Sequence, residues 1–313
     1  MPEHYTLQST AVAMLIFNRP MTTQRVFDAV RKARPPRLLI VADGPRPNRS
    51  GEATICQAAR SIVHQVDWPC EVLTHFSEKN LGCRIRVSSG LDWVFSQVEE
   101  AIILEDDCLP HPDFFRYCEK MLARYRDDER VHMVRGGHFF ADQYPGKHSY
   151  HFSRWYHIWG WASWARAWRY NDVTMQRWPE LRESGWLESL LPNPAMVSAA
   201  REIFDGSHAH QIDTWEYYWV YSSWLRNALA ICPAVNMISN IGFGADATHF
   251  TREDHPHSEL AWQAMPFPLQ HPDSVAVDID ADLQEWRNLN PGQTRIQRMR
   301  SGISRRLRKL LAD

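Results

Sequence analysis

Ala101-Ile102-Ile103-Leu104-Glu105-Asp106-Asp107 runs four apolar residues straight into three carboxylates. A short apolar run bounded in this way reads as a buried strand that delivers acid at its open end. It is the fourth of a series. Residues 11–17, 38–42 and 71–76 are also short apolar runs, and the spacing between them predicts helices over 22–33, 52–65 and 84–98. In the last of these, Val87, Leu91, Val94, Phe95 and Val98 recur on one stripe. Strands that alternate with amphipathic helices build an α/β three-layer sandwich around a mostly parallel sheet. Ligands gather beyond the carboxyl ends of such strands, so the loops at 18–20, 43–46, 77–82 and 105–108 are expected to face one crevice.

Downstream, Pro112-Asp113 opens a helix with Phe114, Phe115, Cys118, Met121, Leu122 and Tyr125 on one side. From about Val131 the pattern changes to a short strand, a turn at Tyr144-Pro145-Gly146 and a tryptophan-dense run through Trp178. Helices around 193–204 and 213–227 follow, then a strand near 231–238 and a polar, glycine-bearing loop over 239–250. The chain holds 14 Trp, most of them between Trp155 and Trp219, a density that needs a reason. Trp155, Trp159, Trp161, Trp164 and Trp168 lie largely three or four residues apart, which predicts one face of a helix packed on the core. Indoles stack on sugar faces but also fill cores, and composition alone favours the core. The tail over 294–311 reads as a basic amphipathic helix, with Ile296, Met299, Ile303, Leu307 and Leu310 on one stripe. Such a helix either lies on an anionic membrane surface or docks on its own domain. These changes of pattern divide the chain into a donor-side half (1–135), a second half of the same domain (136–260) and a C-terminal extension (261–313).

With 313 residues and 44% hydrophobic content there is ample material for a core. The near balance of 35 basic against 37 acidic residues gives no electrostatic footprint for nucleic acid. Apolar runs are too short to cross a bilayer, residues 1–9 lack the apolar core of a signal peptide, and six scattered cysteines without CxxC spacing suit reduced thiols. A cytoplasmic protein without a structural zinc site is expected.

Three carboxylates at one strand end need a counter-charge. Hard oxygen ligands select Mg²⁺ or Mn²⁺, which bridge carboxylates to phosphate oxygens, so the triplet reads as a metal site for a nucleotide diphosphate. The plainer alternative, an acidic end that caps the next segment or pairs with arginine, is outweighed by the three αβ units that precede it. Asp43, in Ala42-Asp43-Gly44-Pro45, can accept a uracil N–H or form an Asx turn. Arg19 ends the first strand, where its guanidinium reaches a base or diphosphate. Asn80, Gly82 and Arg84 form a turn and helix start whose amides and cation also point toward a nucleotide.

This order of motifs resembles N-acetylglucosaminyltransferase I and its GT-A relatives, and bacterial hemolysin-like sugar transferases, over about residues 11–249. The resemblance implies a GT-A-like fold, a UDP-sugar donor and Mn²⁺ or Mg²⁺. It assigns a strand-end role to Arg19, uracil contact to Asp43, and a Glu-Asp-Asp metal motif to Glu105, Asp106 and Asp107, with Asp107 bonding the ion directly. Pro112-Asp113-Phe114-Phe115 also has its counterpart there. Gly160-Trp161 resembles an acceptor-region Gly-Trp, and Trp215-Glu216 resembles a Trp-Asp that supplies the catalytic base. Here the acid is Glu, which leaves Asp213 as a rival base. Phe243-Gly244 resembles a donor-covering loop, with His249 a phosphate or metal contact. Trp161 and Trp215 are the acceptor-side aromatics on this reading. The implied reaction is metal-dependent sugar transfer, inverting through one base, to a glycan, lipid-linked or protein acceptor, with peripheral membrane contact through the basic tail. A metal-dependent hydrolase of the same donor and a lectin-like binder are the competing readings. The hydrolase would usually require a second ligand set.

Overall fold

In the computed structural model, which describes residues 5–144, 146–243 and 260–290, four strands form where the apolar runs stand. They are β1 (Ala11–Ile16), β2 (Arg37–Ala42), β3 (Glu71–Phe76) and β4 (Glu100–Glu105). The crossovers carry α1 (Pro20–Ala33), α2 (Glu52–Ser61), extended by a 3₁₀ turn over Ile62–Gln65, and α3 (Gly82–Gln97). All six residues of β1 are buried, as expected of a strand with helices on both faces. Val12, Met14 and Ile16 join the core under α1 and α4 (Pro112–Arg124), whereas Ala11, Ala13 and Leu15 join the one under α3. The result is the expected three-layer α/β arrangement.

Between β4 and α4 lies β5 (Cys108–Pro110), and after α4 come β6 (Val131–Arg135), β7 (Tyr150–Ser153) and β8 (Trp161–Trp164). The short helices α5 (Ala165–Trp168), α6 (Trp178–Leu181) and α7 (Trp186–Leu190) lead to α8 (Pro194–His208) and α9 (Glu216–Leu225). The strand expected over 231–238 is two strands, β9 (Leu229–Pro233) and β10 (Ile238–Asn240). The main sheet has the order β3-β2-β1-β4-β8-β6-β9-β7. Its β3-β2-β1-β4 block is wholly parallel, β6 and β9 are parallel to each other, and β8 and β7 run antiparallel to their neighbours. A separate pair, β10 against β5, is antiparallel.

The tryptophan run departs from its expected helix. Trp155 and Trp159 lie in a loop, Trp161 and Trp164 in β8, and Trp168 ends the one-turn α5. Every residue of β8 is buried, because helices cover both faces of the sheet there. Such a strand shows none of the alternation that would have marked it. Gly160, which enters β8 at φ +56°, is required twice over: a Cβ there would stand 2.4 Å from Ile238 Cδ1.

The extension also contributes structure. α10 (Ile279–Leu289) docks beside β7, its Asp278 side chain capping the helix at Ala281 N, 3.0 Å. Glu285 bonds the fully buried Arg135 of β6 at 3.0 Å and His157 at 2.7 Å, and Trp286 stacks on Trp155. Among the described residues no helix is long and apolar enough to cross a membrane.

Candidate active site

The register of the parallel block sets the site. Leu15 pairs with Glu105 and Ile16 with Ala42, so the chain leaves β1, β2 and β4 at one level through Phe17, Asp43 and Asp106. These ends line a cleft of about 1010 Å³. Its opposite wall comes from residues 211–217 and from the loop that holds His157 and Trp159. Arg19, Asp43, Asn80, Glu105, Asp106, Asp107, Asp213, Trp215 and Glu216 all line it. Of the described expected residues, only Arg84 and Trp161 are missing from its wall.

The acid triplet is crowded and short of positive charge. Burial, then Asp107 and Asp106, push the Glu105 carboxyl well above its ordinary range, and its buried Oε1 has no hydrogen-bond partner among the described residues. Burial also raises Asp106, against the pull of Arg19. The Arg19 guanidinium bridges the pair, one nitrogen on Asp106 and the other 2.9 Å from Asp107 Oδ2. Phe17 N donates to Asp106 at 3.2 Å. The β5–β10 pair carries Ile241 N to within 2.8 Å of the Asp107 carbonyl. The next residue, Gly242, sits so close that a Cβ would stand 2.3 Å from Asp107 Oδ2 and 2.6 Å from the Arg19 guanidinium. Sequence gave no hint of this contact, since the small β5–β10 sheet joins segments 130 residues apart.

Asp43 corrects its expectation. Its carboxylate accepts from Gly44 N (2.8 Å), Leu81 N (3.0 Å), Gly82 N (3.1 Å) and Asn80 Nδ2 (3.0 Å), which fills both oxygens. Nothing is left for a uracil N–H. Asp43 instead clasps the start of α3 to the end of β2, and Asn80 is held with it. Arg84 likewise turns away: its amide donates to Asp213 at 3.2 Å, and its guanidinium lies 3.5 Å from His210 Nδ1. The cation that does line the cleft here is Arg86, buried and bound to the His75 carbonyl at 2.7 Å.

Across the cleft, Glu216 is the first residue of α9 and is partly buried. Burial lifts its carboxyl to about 7. It is also close enough to help raise Glu105. Asp213 is exposed and its carboxylate accepts the amide that opens α3, so it serves as a cap for that helix. Trp215 is 1% exposed and stacks on the fully buried Trp161, centroids 5.6 Å apart. Trp161 offers no face to a sugar; with Trp168 and Trp219 it fills the core beneath α9 and thereby fixes Glu216. Besides Trp215, aromatics that reach the cleft include Phe139, Trp159 and Phe243; Phe243 was expected there, whereas Phe139 was not singled out by sequence and Trp159 was expected in the core. His157 also lines it, held by Glu285 from a helix the sequence did not reveal.

His249, Gly244 and the basic stripe over 294–311 lie outside the described residues. Among the described residues no three side chains converge as a ready metal cage. A hard cation that shares its shell with phosphates and water needs only one or two carboxylates. The donor set fits such an ion: acid is in surplus and, among the described residues, one buried carboxylate oxygen is unpartnered.

No family model matches this sequence, and no curated protein does. Among solved structures, the chain is similar to a mannosyltransferase from Pyrobaculum calidifontis in complex with GDP-Man and Mn²⁺, at 13% identity over 50% of this chain and 45% of that one, TM-score 0.34. It is similar to the galactosyltransferase LgtC in complex with donor and acceptor sugar analogues, at 11% identity over 55% of this chain and 64% of that one, TM-score 0.32. A UDP-glucose pyrophosphorylase complexed with UDP-glucose aligns at 8% identity over 42% of this chain and 64% of that one, TM-score 0.24. The matched region thus spans less than two thirds of each of these proteins. Likenesses so partial leave the function to be argued from the cleft itself.

Proposed function

We propose that this chain is a metal-dependent glycosyltransferase of GT-A-like fold that moves a sugar from a nucleotide diphosphate, a UDP-sugar on the sequence resemblance, to an acceptor hydroxyl with inversion. The observation that carries the reading is the pairing, across one cleft, of a cation-hungry acid triplet with a single carboxyl poised near neutral pH. Asp107 and Asp106 would hold Mn²⁺ or Mg²⁺. When bound, the ion neutralises the charge that grows on the diphosphate leaving group.

The chain's own residues do the rest. Arg19 and the start of α1 present positive charge where the β1 end opens into the cleft. Phe17, with the Arg46 guanidinium 5.5 Å over its ring, offers an apolar wall for a base. Glu216, set between Trp215 and Tyr217 in sequence, takes the proton of the acceptor hydroxyl on the face opposite the leaving group. Displacement by one base in one step inverts the anomeric carbon. Asp213, committed to α3, is the weaker candidate for that proton. The aromatic side chains at the cleft wall, Trp159 foremost, are the acceptor contacts in place of Trp161. On this reading residues 1–135 hold the donor and 136–260 the acceptor, and kinship with N-acetylglucosaminyltransferase I or the hemolysin-like transferases belongs to the same proposal. So do a glycan, lipid-linked or protein acceptor and a cytoplasmic site at the membrane face.

Calorimetric titration of UDP, GDP and UDP-sugars with Mn²⁺, with Mg²⁺ and with chelator is the test. Metal-dependent binding that Asp107→Ala abolishes is expected. Equal affinity in Asp107→Ala would sink the metal assignment, and silence with every nucleotide would sink the reading.

A further inference from the structure

The four oxygens of Asp106 and Asp107 are all spoken for, and only one of their partners is an ion on a flexible stem. Asp106 Oδ2 accepts from Phe17 N at 3.2 Å, a main-chain contact fixed by the sheet. Asp107 Oδ1 faces the Cys108 thiol at 3.4 Å, a weak donor next in sequence. The remaining two oxygens, Asp106 Oδ1 and Asp107 Oδ2, both hold the Arg19 guanidinium. Gly242 closes over this fork, with room for a hydrogen but not a methyl between its Cα, Arg19 and Asp107. A divalent ion bonds carboxylate oxygens at about 2.1 Å and cannot share those lone pairs with a guanidinium that already sits on them.

We propose that Arg19 is a built-in counter-cation that occupies the divalent site until a nucleotide diphosphate draws it away. The inference rests on the metal site proposed above. Arg19 is 18% exposed and borders both the acids and the open cleft, so rotation about its side chain carries the fork from carboxylates to an anion in the cleft without backbone movement. Leaving the aspartates uncovers two oxygens for the ion at the same moment. Metal and nucleotide then bind together, and each strengthens the other by the same factor. The arrangement also spares the buried triplet an uncompensated charge when no ion is present.

Mn²⁺ binding is read by the paramagnetic resonance signal of free Mn²⁺, with and without UDP or GDP, in the wild type, Arg19→Gln and Arg19→Lys. In the wild type, the better nucleotide should tighten Mn²⁺ on the order of tenfold or more. Arg19→Gln should bind Mn²⁺ alone about tenfold more tightly than the wild type, and its nucleotide effect should shrink to about twofold. Arg19→Lys, which keeps a charge but loses the fork, should fall between them and guards against a folding defect in the first variant. Wild-type coupling together with unchanged or weaker Mn²⁺ binding in both variants would overturn the inference while leaving the transferase reading intact. Absence of Mn²⁺ binding by every protein with every nucleotide would overturn both.

Discussion

The parallel block β3-β2-β1-β4 and the aromatic block from β8 to α9 meet at one cleft but were written in different codes. In the first, each strand is a short apolar run, each crossover has helical spacing, and chemistry sits on the loops just after the strands. In the second, fourteen consecutive residues, 155–168, contain a loop, a strand and one helical turn, all rich in indole. Pattern reads a scaffold well where each strand is a short apolar run set off by polar turns and amphipathic helices, even with both faces covered as in β1. It fails over 155–168, where indoles run through loop, strand and helical turn alike and hide the ends of β8. The two blocks therefore differ in what a substitution should do, and the difference can be pressed experimentally.

The largest effect is expected where the blocks face each other. Glu216→Gln should lower turnover on the order of 10²- to 10⁴-fold and leave donor binding within about twofold, since a base acts on the acceptor proton alone. Asp213→Asn should lose much less, by weakening the cap on α3. A reversed ranking in a steady-state assay would move the base to Asp213 and detach the aromatic block from the chemistry.

Within the aromatic block itself, Trp161→Ala removes a fully buried indole stacked on Trp215 and should cost roughly 3–5 kcal/mol in urea unfolding. A near-neutral result would mean the ring is not core. The buried Arg135–Glu285 pair tests the extension in the same way. Glu285→Gln leaves Arg135 without its full counter-charge and should destabilise by about 3–5 kcal/mol, loosening α10 and His157.

Legibility followed these physical lines. The triplet Glu105, Asp106 and Asp107 could be read because a buried strand ending in acid has few uses. Arg19 could be placed at the same crevice, but not its grip on Asp106 and Asp107, because a sequence does not say which of two anions a guanidinium meets first. Asp43 looked like a ligand contact and is a clasp: four amide donors converge on it only once α3 is docked. Gly242 and Glu285 were invisible for one reason, that their partners lie far away along the chain, the nearest of them His157 at 128 residues from Glu285.

The pH dependence separates the two blocks at smaller amplitude. Burial raises Glu216 to about 7, so a base there is idle when protonated, and turnover should rise about tenfold per unit up to pH 7 and then level. Stability should move the opposite way. Between the ordinary glutamate range and about 7 the folded chain holds a proton that the unfolded chain releases, so Glu216 contributes stability at low pH that fades as pH rises through 7. Glu216→Gln should flatten both trends at once. If the activity limb persists in that variant while the stability trend disappears, the burial of Glu216 is right and its role as base is wrong.

Trp159→Ala is the gentlest probe and the most direct comparison with Trp161→Ala. Trp159 lies at the cleft wall, partly exposed and edge-on to Phe139 at 4.9 Å, so its loss should cost only about 1 kcal/mol of stability. A sugar stacked on that ring would lose its flat apolar surface, and the acceptor KM should rise while the donor Kd stays put. If instead Trp159→Ala unfolds the protein as readily as Trp161→Ala, the indoles on both sides of Gly160 are core, and the acceptor surface must be sought at Phe139 and Phe243.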